Sequence, residues 1–202
     1  EVKKVQKKTK RIYSIMYSER LGTPASYKAD ELIQAGAIGK VVQTIGLGPH
    51  RMNPKTRPEW FFDPAKAGGV LCDIGSHQCD QFLFYTGSKE AVVAQSQTGN
   101  FNTKNYPVYQ DFGDMVVRSP HATGYIRIDW FTPDGLATWG DGRIFILGTE
   151  GYIEMHPADA QACGVAAGGA AAGGAAWAPP APPPRPWGGM RPIRAHVVPP
   201  SS

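Results

Sequence analysis

The segment GGVLCDIGSHQCD, residues 68–80, gathers the residue types most able to do chemistry. Asp73 and His77 stand four apart, which on a helix puts them on one face, and Asp80 follows about one turn later on the same side. An imidazole flanked by carboxylates is a candidate general base, because the carboxylates hold its orientation and stabilise the imidazolium. Gly68 and Gly69 allow a ligand or another backbone to come close. Two other readings stand beside this one. Asp73 capping the helix start, with His77 bonded to a core carbonyl, is what the spacing alone favours. A metal site built from Asp73, His77 and Asp80, with His50 or Cys79 added, is weaker: no second His pair lies at ligand spacing and no CxxC occurs.

These residues need a scaffold, and 202 residues with 42% hydrophobic and 19% charged content are enough for one domain with a core, or one domain plus a tail. The formal net charge of +4 does not describe a basic groove. Lys3, Lys4, Lys7, Lys8, Lys10 and Arg11 crowd one end, Arg185, Arg191 and Arg194 the other, and the stretch between holds more acidic than basic residues. A nucleic-acid partner is therefore not expected. No apolar run approaches the roughly 20 residues of a membrane helix, and no membrane partner is expected. Cys72 and Cys79 are two helical turns apart, about 10.5 Å of rise, too far for a disulfide. Three unpaired thiols with Cys163 suit a reducing, cytoplasmic setting.

The pattern along the chain predicts an α+β fold. Residues 1–11 read as the end of an amphipathic helix and Ile12–Tyr17 as a buried strand, the last unit of a larger βα layer, which the resemblance described below assigns to a Rossmann domain. The chain begins without Met inside that helix and is expected to be a piece of a longer protein. Thr23-Pro24 opens a helix that Gly36 ends. Lys40–Leu47 reads as a strand, 48–63 as a loop, and Gly69–Thr86 as one helix closed by Gly87. Strands follow at Ala91–Gln97, Asp111–Arg118, Gly124–Phe131, Arg143–Leu147 and Gly151–Met155, with Tyr125, Ile128 and Trp130 as candidate packers. Helices first and consecutive strands afterwards argue for a mostly antiparallel open sheet with helices on one face, spanning residues 18–156. From 157 to 202 an Ala/Gly/Pro-rich stretch has no usable period and is expected to be disordered. It reads as a linker or SH3-type ligand, as a plain tail, or, the preferred reading, as GC-rich DNA translated out of frame.

From Glu31 to Gly87, the AGAIG helix end, the strand, the Trp-containing loop and GG-x-L-x-D-I-G-x-H-x-x-D together resemble the C-terminal domain of the glucose–fructose oxidoreductase/inositol dehydrogenase family (Gfo/Idh/MocA). DFGDM, WFTPDG and ILGTEGYIE extend the likeness to about Glu154. The resemblance implies an NAD(P)-dependent oxidoreductase of a sugar, cyclitol or related small molecule, often paired through its sheet as a homodimer or tetramer. It implies that His77 takes the hydroxyl proton as hydride leaves the same carbon. Asp73 would hold the substrate hydroxyl or orient the imidazole, and Asp80 would contact substrate. The chain lacks the GxGxxG phosphate loop and the family's Glu-Lys-Pro turn, so alone it is expected to bind NAD or NADP poorly and to be inactive.

His50, Arg51, Arg57 and Trp60 offer donors and an aromatic face to a pyranose, while Phe61 and Phe62 read better as anchors of their loop. Trp130 and Trp139 read as sheet packing rather than as a ligand platform. Arg20 could approach a cofactor or be a surface residue. Two further readings remain open at this stage: a non-catalytic module that dimerises through its sheet, and a metal-dependent hydrolase or isomerase.

Overall fold

In a computed structural model the described residues are 1–136 and 138–156, together with the backbone of 163–167. The centre is strand β1 (Val41–Pro49), where inward residues Thr44, Gly46 and Gly48 alternate with outward ones. Around it lie β2 (Val92–Gly99), β3 (Phe112–Arg118), β4 (Thr123–Asp129), β5 (Arg143–Gly148), β6 (Gly151–Met155) and β7 (Cys163–Ala167). Their order is β2-β3-β4-β1-β5-β6-β7. Among the described strands only β1 and β4 run parallel; every other pair is antiparallel. The expected open, mostly antiparallel sheet is what forms.

Helices α1 (Val2–Thr9), α2 (Ser18–Leu21), α3 (Pro24–Gln34), α4 (Pro64–Ala67), α5 (Gly69–Asp73) and α6 (Gly75–Thr86) complete the fold. α6 packs on β1 and β4, and α3 on β6, so the helices cover one face. Under α5 and α6 the core joins Val70, Ile74 and Phe82 to Met115, Ile126 and Ile128. Under α3 it joins Ala25 and Ala29 to Ile144, Ile146 and Ile153. Each buried Val, Ile, Met or Phe among these stabilises the fold by about 1.5–3 kcal/mol relative to exposure. Gly36 and Gly87 both take positive φ, which is how α3 and α6 are closed.

The structure corrects four details. The helix expected over 69–86 breaks at Ile74. The Ser76 hydroxyl donates to the Asp73 carbonyl (3.1 Å), and the His77 N–H bonds Ile74 O (3.0 Å) in its place, tightening the turn. Tyr125 does not join Ile128 in the core. Residues of opposite parity face opposite sides of a strand, and the Tyr125 hydroxyl instead donates to Asp114 (3.2 Å). Residues 12–16 form no strand: Ile12 is 94% exposed, because no sheet edge lies alongside to pair with it. Finally, Cys163–Ala167, inside the expected disordered tail, pairs with β6, since an open edge recruits backbone groups whatever the side-chain pattern. The rest of 157–202 lies outside the described residues.

Asp111, fully buried, binds the loop after β2. Its carboxylate accepts from the backbone N–H of Phe101, Asn102 and Thr103 at 2.8–2.9 Å and from the Thr103 hydroxyl at 3.0 Å. That loop delivers Tyr106, stacked on Phe62 at 3.8 Å, and Tyr109 beside Phe61.

Gln78 of α6 lies close on Gly46 and Gly48 of β1. A Cβ on Gly48 would meet Gln78 Nε2 at 2.7 Å and Ile74 Cγ2 at 3.0 Å. Gln78 cannot give way without losing its 2.6 Å bond to Glu19. Gly48→Ala is therefore expected to cost about 1–3 kcal/mol through overpacking. Urea denaturation should show a lower midpoint at unchanged slope, and a variant as stable as the parent would mean that Gln78 is not held.

Candidate functional site

The strand β1 ends at His50, where the chain meets α2. The Glu19 carboxyl on α2 accepts from Gln78 Nε2 (2.6 Å) and lies 3.6 Å from His50 Nε2. Gly48 O is only an acceptor, so His50 Nδ1 carries the proton and donates to it (3.2 Å), which leaves the Nε2 lone pair toward Glu19. Burial raises the Glu19 carboxyl to about 7, against a smaller lowering by the Gln78 bond. Burial also lowers His50, only partly offset by Gly48 O and by Asp73 and Asp129. Both groups are thus shifted toward their uncharged forms, and the contact is not a simple ion pair.

His77 lies on α6 next to Gln78. Its ring meets Tyr17 edge-to-face at 5.8 Å and 83°, and its Nδ1 is shielded with no hydrogen-bond partner. Burial, then His50, lowers its pKa, against the opposing pull of Asp73 and Asp80. A ring held neutral in this way can accept a proton.

The other expected site residues are distributed as follows. Asp73 ends α5, exposed, and forms neither a hydrogen bond nor an ion pair with His77, because the break at Ile74 intervenes; nor does it cap a helix. The expected face-sharing pair acts through space only. Asp73 lines a small pocket with Phe61, Val70, Tyr109, Gln110 and Trp130, and His77 is not on its wall. Both Asp80 oxygens accept from Arg20, at 2.5 Å from Nε and 2.9 Å from Nη2, and the Arg20 guanidinium stacks over Phe84 at 4.3 Å. Arg20, expected at a cofactor or on the surface, is instead the bidentate partner that orients Asp80. Arg57 donates to Met52 O (2.9 Å) and lies over Phe61, Trp130 and Trp139 at 4.4–5.3 Å, with Nη2 shielded and unpartnered. Trp60 is 53% exposed, while Phe61 and Phe62 are buried anchors.

Trp130 packs in the core as expected. Trp139 does not: it is 48% exposed, with its ring 6.5 Å from that of His50. Tyr17, Glu19, Gln78 and Tyr109 were not foreseen. One signal pointed to Gln78: two glycines on the same face of β1 mark a close approach by another element. Among the described residues no group of three His, Cys, Asp or Glu side chains could hold a metal.

Residues 27–154 match the family profile described as the GFO/IDH/MocA C-terminal domain. Among solved structures, a protein described as an oxidoreductase from Erwinia carotovora atroseptica SCRI1043 is 48% identical, with a TM-score of 0.72 over 77% of this chain and 47% of its own. One from Thermotoga maritima, 20% identical, has a TM-score of 0.68 over 77% and 47%. Levoglucosan dehydrogenase in complex with NADH and levoglucosan, 23% identical, has 0.59 over 75% and 41%; these last two likenesses concern the fold. The chain spans about half or less of these structures. No curated protein matches it.

Glu19 gives a pH test. Its folded pKa, about 7, lies above the ordinary value of 4.5. The stability that Glu19 contributes is therefore full below about 4.5, falls as pH rises to about 7 while only the unfolded state ionises, and is level above that. Glu19→Gln should remove this contribution, so that relative to the variant the parent loses on the order of 3 kcal/mol across the window. Urea denaturation at stepped pH measures this; parallel profiles would show that Glu19 does not hold the proton.

Proposed function

Because this chain belongs to the GFO/IDH/MocA family through its C-terminal domain, we propose that it is the substrate-side half of a nicotinamide-dependent oxidoreductase. Its substrate would be a sugar, cyclitol or related hydroxy or carbonyl compound. The observation that carries this reading is His77: a neutral imidazole with a lowered pKa, beside Tyr17 and the Arg20–Asp80 pair, on the segment the family profile covers. NAD or NADP is the cofactor proposed, in keeping with the NADH bound in levoglucosan dehydrogenase. The GxGxxG cradle that a dinucleotide phosphate needs is not in this sequence, so the residues present do not fit the whole cofactor. Its binding is assigned mainly to a separate Rossmann half.

In this reading His77 takes the proton from a substrate hydroxyl as the carbinol carbon gives up its hydride. A bound nicotinamide supplies the hydride acceptor. Asp73, exposed and not engaged with His77, accepts a bond from a substrate hydroxyl. Asp80, fixed by Arg20, presents a carboxylate edge near the same ring. His50, Arg57 and Trp60 border the substrate. Burial around His77 and His50 keeps both rings uncharged until the hydroxyl proton arrives, so the site begins each turnover as a base.

The partner proposed is a second copy of the chain, giving a homodimer or tetramer through the uncovered sheet face. In support, Val92 of β2, which pairs with Arg118 on that face, stands exposed. No described helix is long and apolar enough to cross a membrane. The cytoplasm is the compartment proposed, where the free thiols of Cys72 and Cys79 stay reduced.

Joined to a nucleotide-binding domain, the chain should turn over a polyol or sugar with NAD(P). His77→Ala should then lower kcat by about 10²–10⁴-fold. Steady-state kinetics decides it: unchanged turnover would remove His77 from the reacting centre.

A further inference from the structure

The loop from Phe131 to Gly140 is fastened to the end of β1 at both of its ends. The Thr132 N–H donates to His50 O (3.2 Å), and the Arg51 N–H donates to Trp139 O (2.9 Å). The Arg51 guanidinium donates to Pro133 O (3.0 Å) and to Leu136 O. Isolated bridges join Arg51 to Phe131 and His50 to Gly140, and any side chain at Gly140 would strike the Pro49 carbonyl. Trp139 is therefore held in place although nearly half of it is exposed. The Arg57 guanidinium occupies one side of the indole at 5.3 Å, and His50 stands perpendicular to it at 6.5 Å and 86°. An exposed aromatic face costs solvation that sheet packing would have recovered, and here it is fixed rather than folded away.

From this geometry we infer that Trp139 is a specificity-determining platform: its open face stacks on the C–H face of a ring-shaped polyol, a pyranose or cyclitol, whose hydroxyls meet the polar corner at His50. The inference rests on reading this face as a substrate site, and it narrows the substrate class. A six-membered ring with axial hydrogens on one face covers an indole, whereas a flexible acyclic polyol must first lose conformational freedom to do so. Trp139 acts on binding and takes no part in proton transfer.

The test uses the 202-residue chain itself. The Trp139 indole N–H resonance, assigned from its loss in Trp139→Phe, is followed by NMR during titration with myo-inositol, methyl glucopyranoside, sorbitol and nicotinamide mononucleotide. The expected result is a shift with the two cyclic polyols that exceeds the shift with sorbitol. Trp139→Ala should weaken ring binding by about tenfold, a typical contribution of one aromatic contact. Trp139→Phe should keep most of it, and this variant carries the comparison if the Ala variant loses its dispersed spectrum. Three outcomes overturn the proposal: an indole resonance unmoved by any cyclic polyol, equal ring binding in parent and variants, or a response confined to the mononucleotide. No turnover is read, so these outcomes leave the assignment of His77 untouched, and a failed His77→Ala test leaves them untouched in turn.

Discussion

The contact on which the candidate site depends is Gln78 laid across two glycines of β1. Gly46 and Gly48 remove the side chains that would hold α6 off the sheet, and the Gln78 side chain fills the space they leave. Its amide then reaches beyond the strand to Glu19 at 2.6 Å. One side chain thus fixes the height of α6, the position of α2 and the environment of His50. His77 is the residue before Gln78, so its ring inherits that placement. The Arg20–Asp80 fork repeats the connection two residues further along α6, again between α2 and α6. A helix of only four residues would not persist alone; these three bonds tie α2 to α6.

The electrostatics follow from the same closeness. Two imidazoles and a carboxyl share a region shielded from water, and each loses more hydration on charging than its neighbours return. His50 depresses His77 further, since two nearby imidazolium ions repel each other. Asp73 and Asp80 pull the other way but do not prevail over burial. This neutral starting state comes from packing, which is why Asp73 need not touch the ring it was expected to steady.

The strands β3, β5 and β6, the Thr-Pro start of α3 and the glycine closing α6 were all legible in the sequence, because each depends on a local run of residues or on a single residue's φ. The break at Ile74 was not legible: it depends on whether the Ser76 hydroxyl takes the Asp73 carbonyl, a competition that helical spacing cannot register. Tyr125 was misread because two residues of unlike parity were placed on one face. At Ile12–Tyr17 and Cys163–Ala167, strand pairing turned on whether a neighbouring edge was available, which composition does not encode. Within the site, His77, Asp73, Asp80, His50 and Arg57 stood out by type, whereas Glu19, Gln78 and Trp139 matter because of contacts with residues far away in sequence.

Those distant contacts meet at one end of the sheet for a topological reason. β1 and β4 pair in parallel, so their C-terminal ends emerge side by side, at His50 and at Trp130. β5 runs antiparallel to β1 and begins at that same end, so the chain between β4 and β5 must turn back across it. An antiparallel neighbour in place of β4 would have carried Trp130 to the opposite edge. The parallel pairing therefore brings the imidazole of His50, the aromatic wall of Trp130 and the loop bearing Trp139 together. Arg51, the next residue after His50, is where that loop is fastened. A site assembled this way draws on β1, α6 and the β4–β5 connection together, and its geometry is only as firm as the seating of α6 on the two glycines.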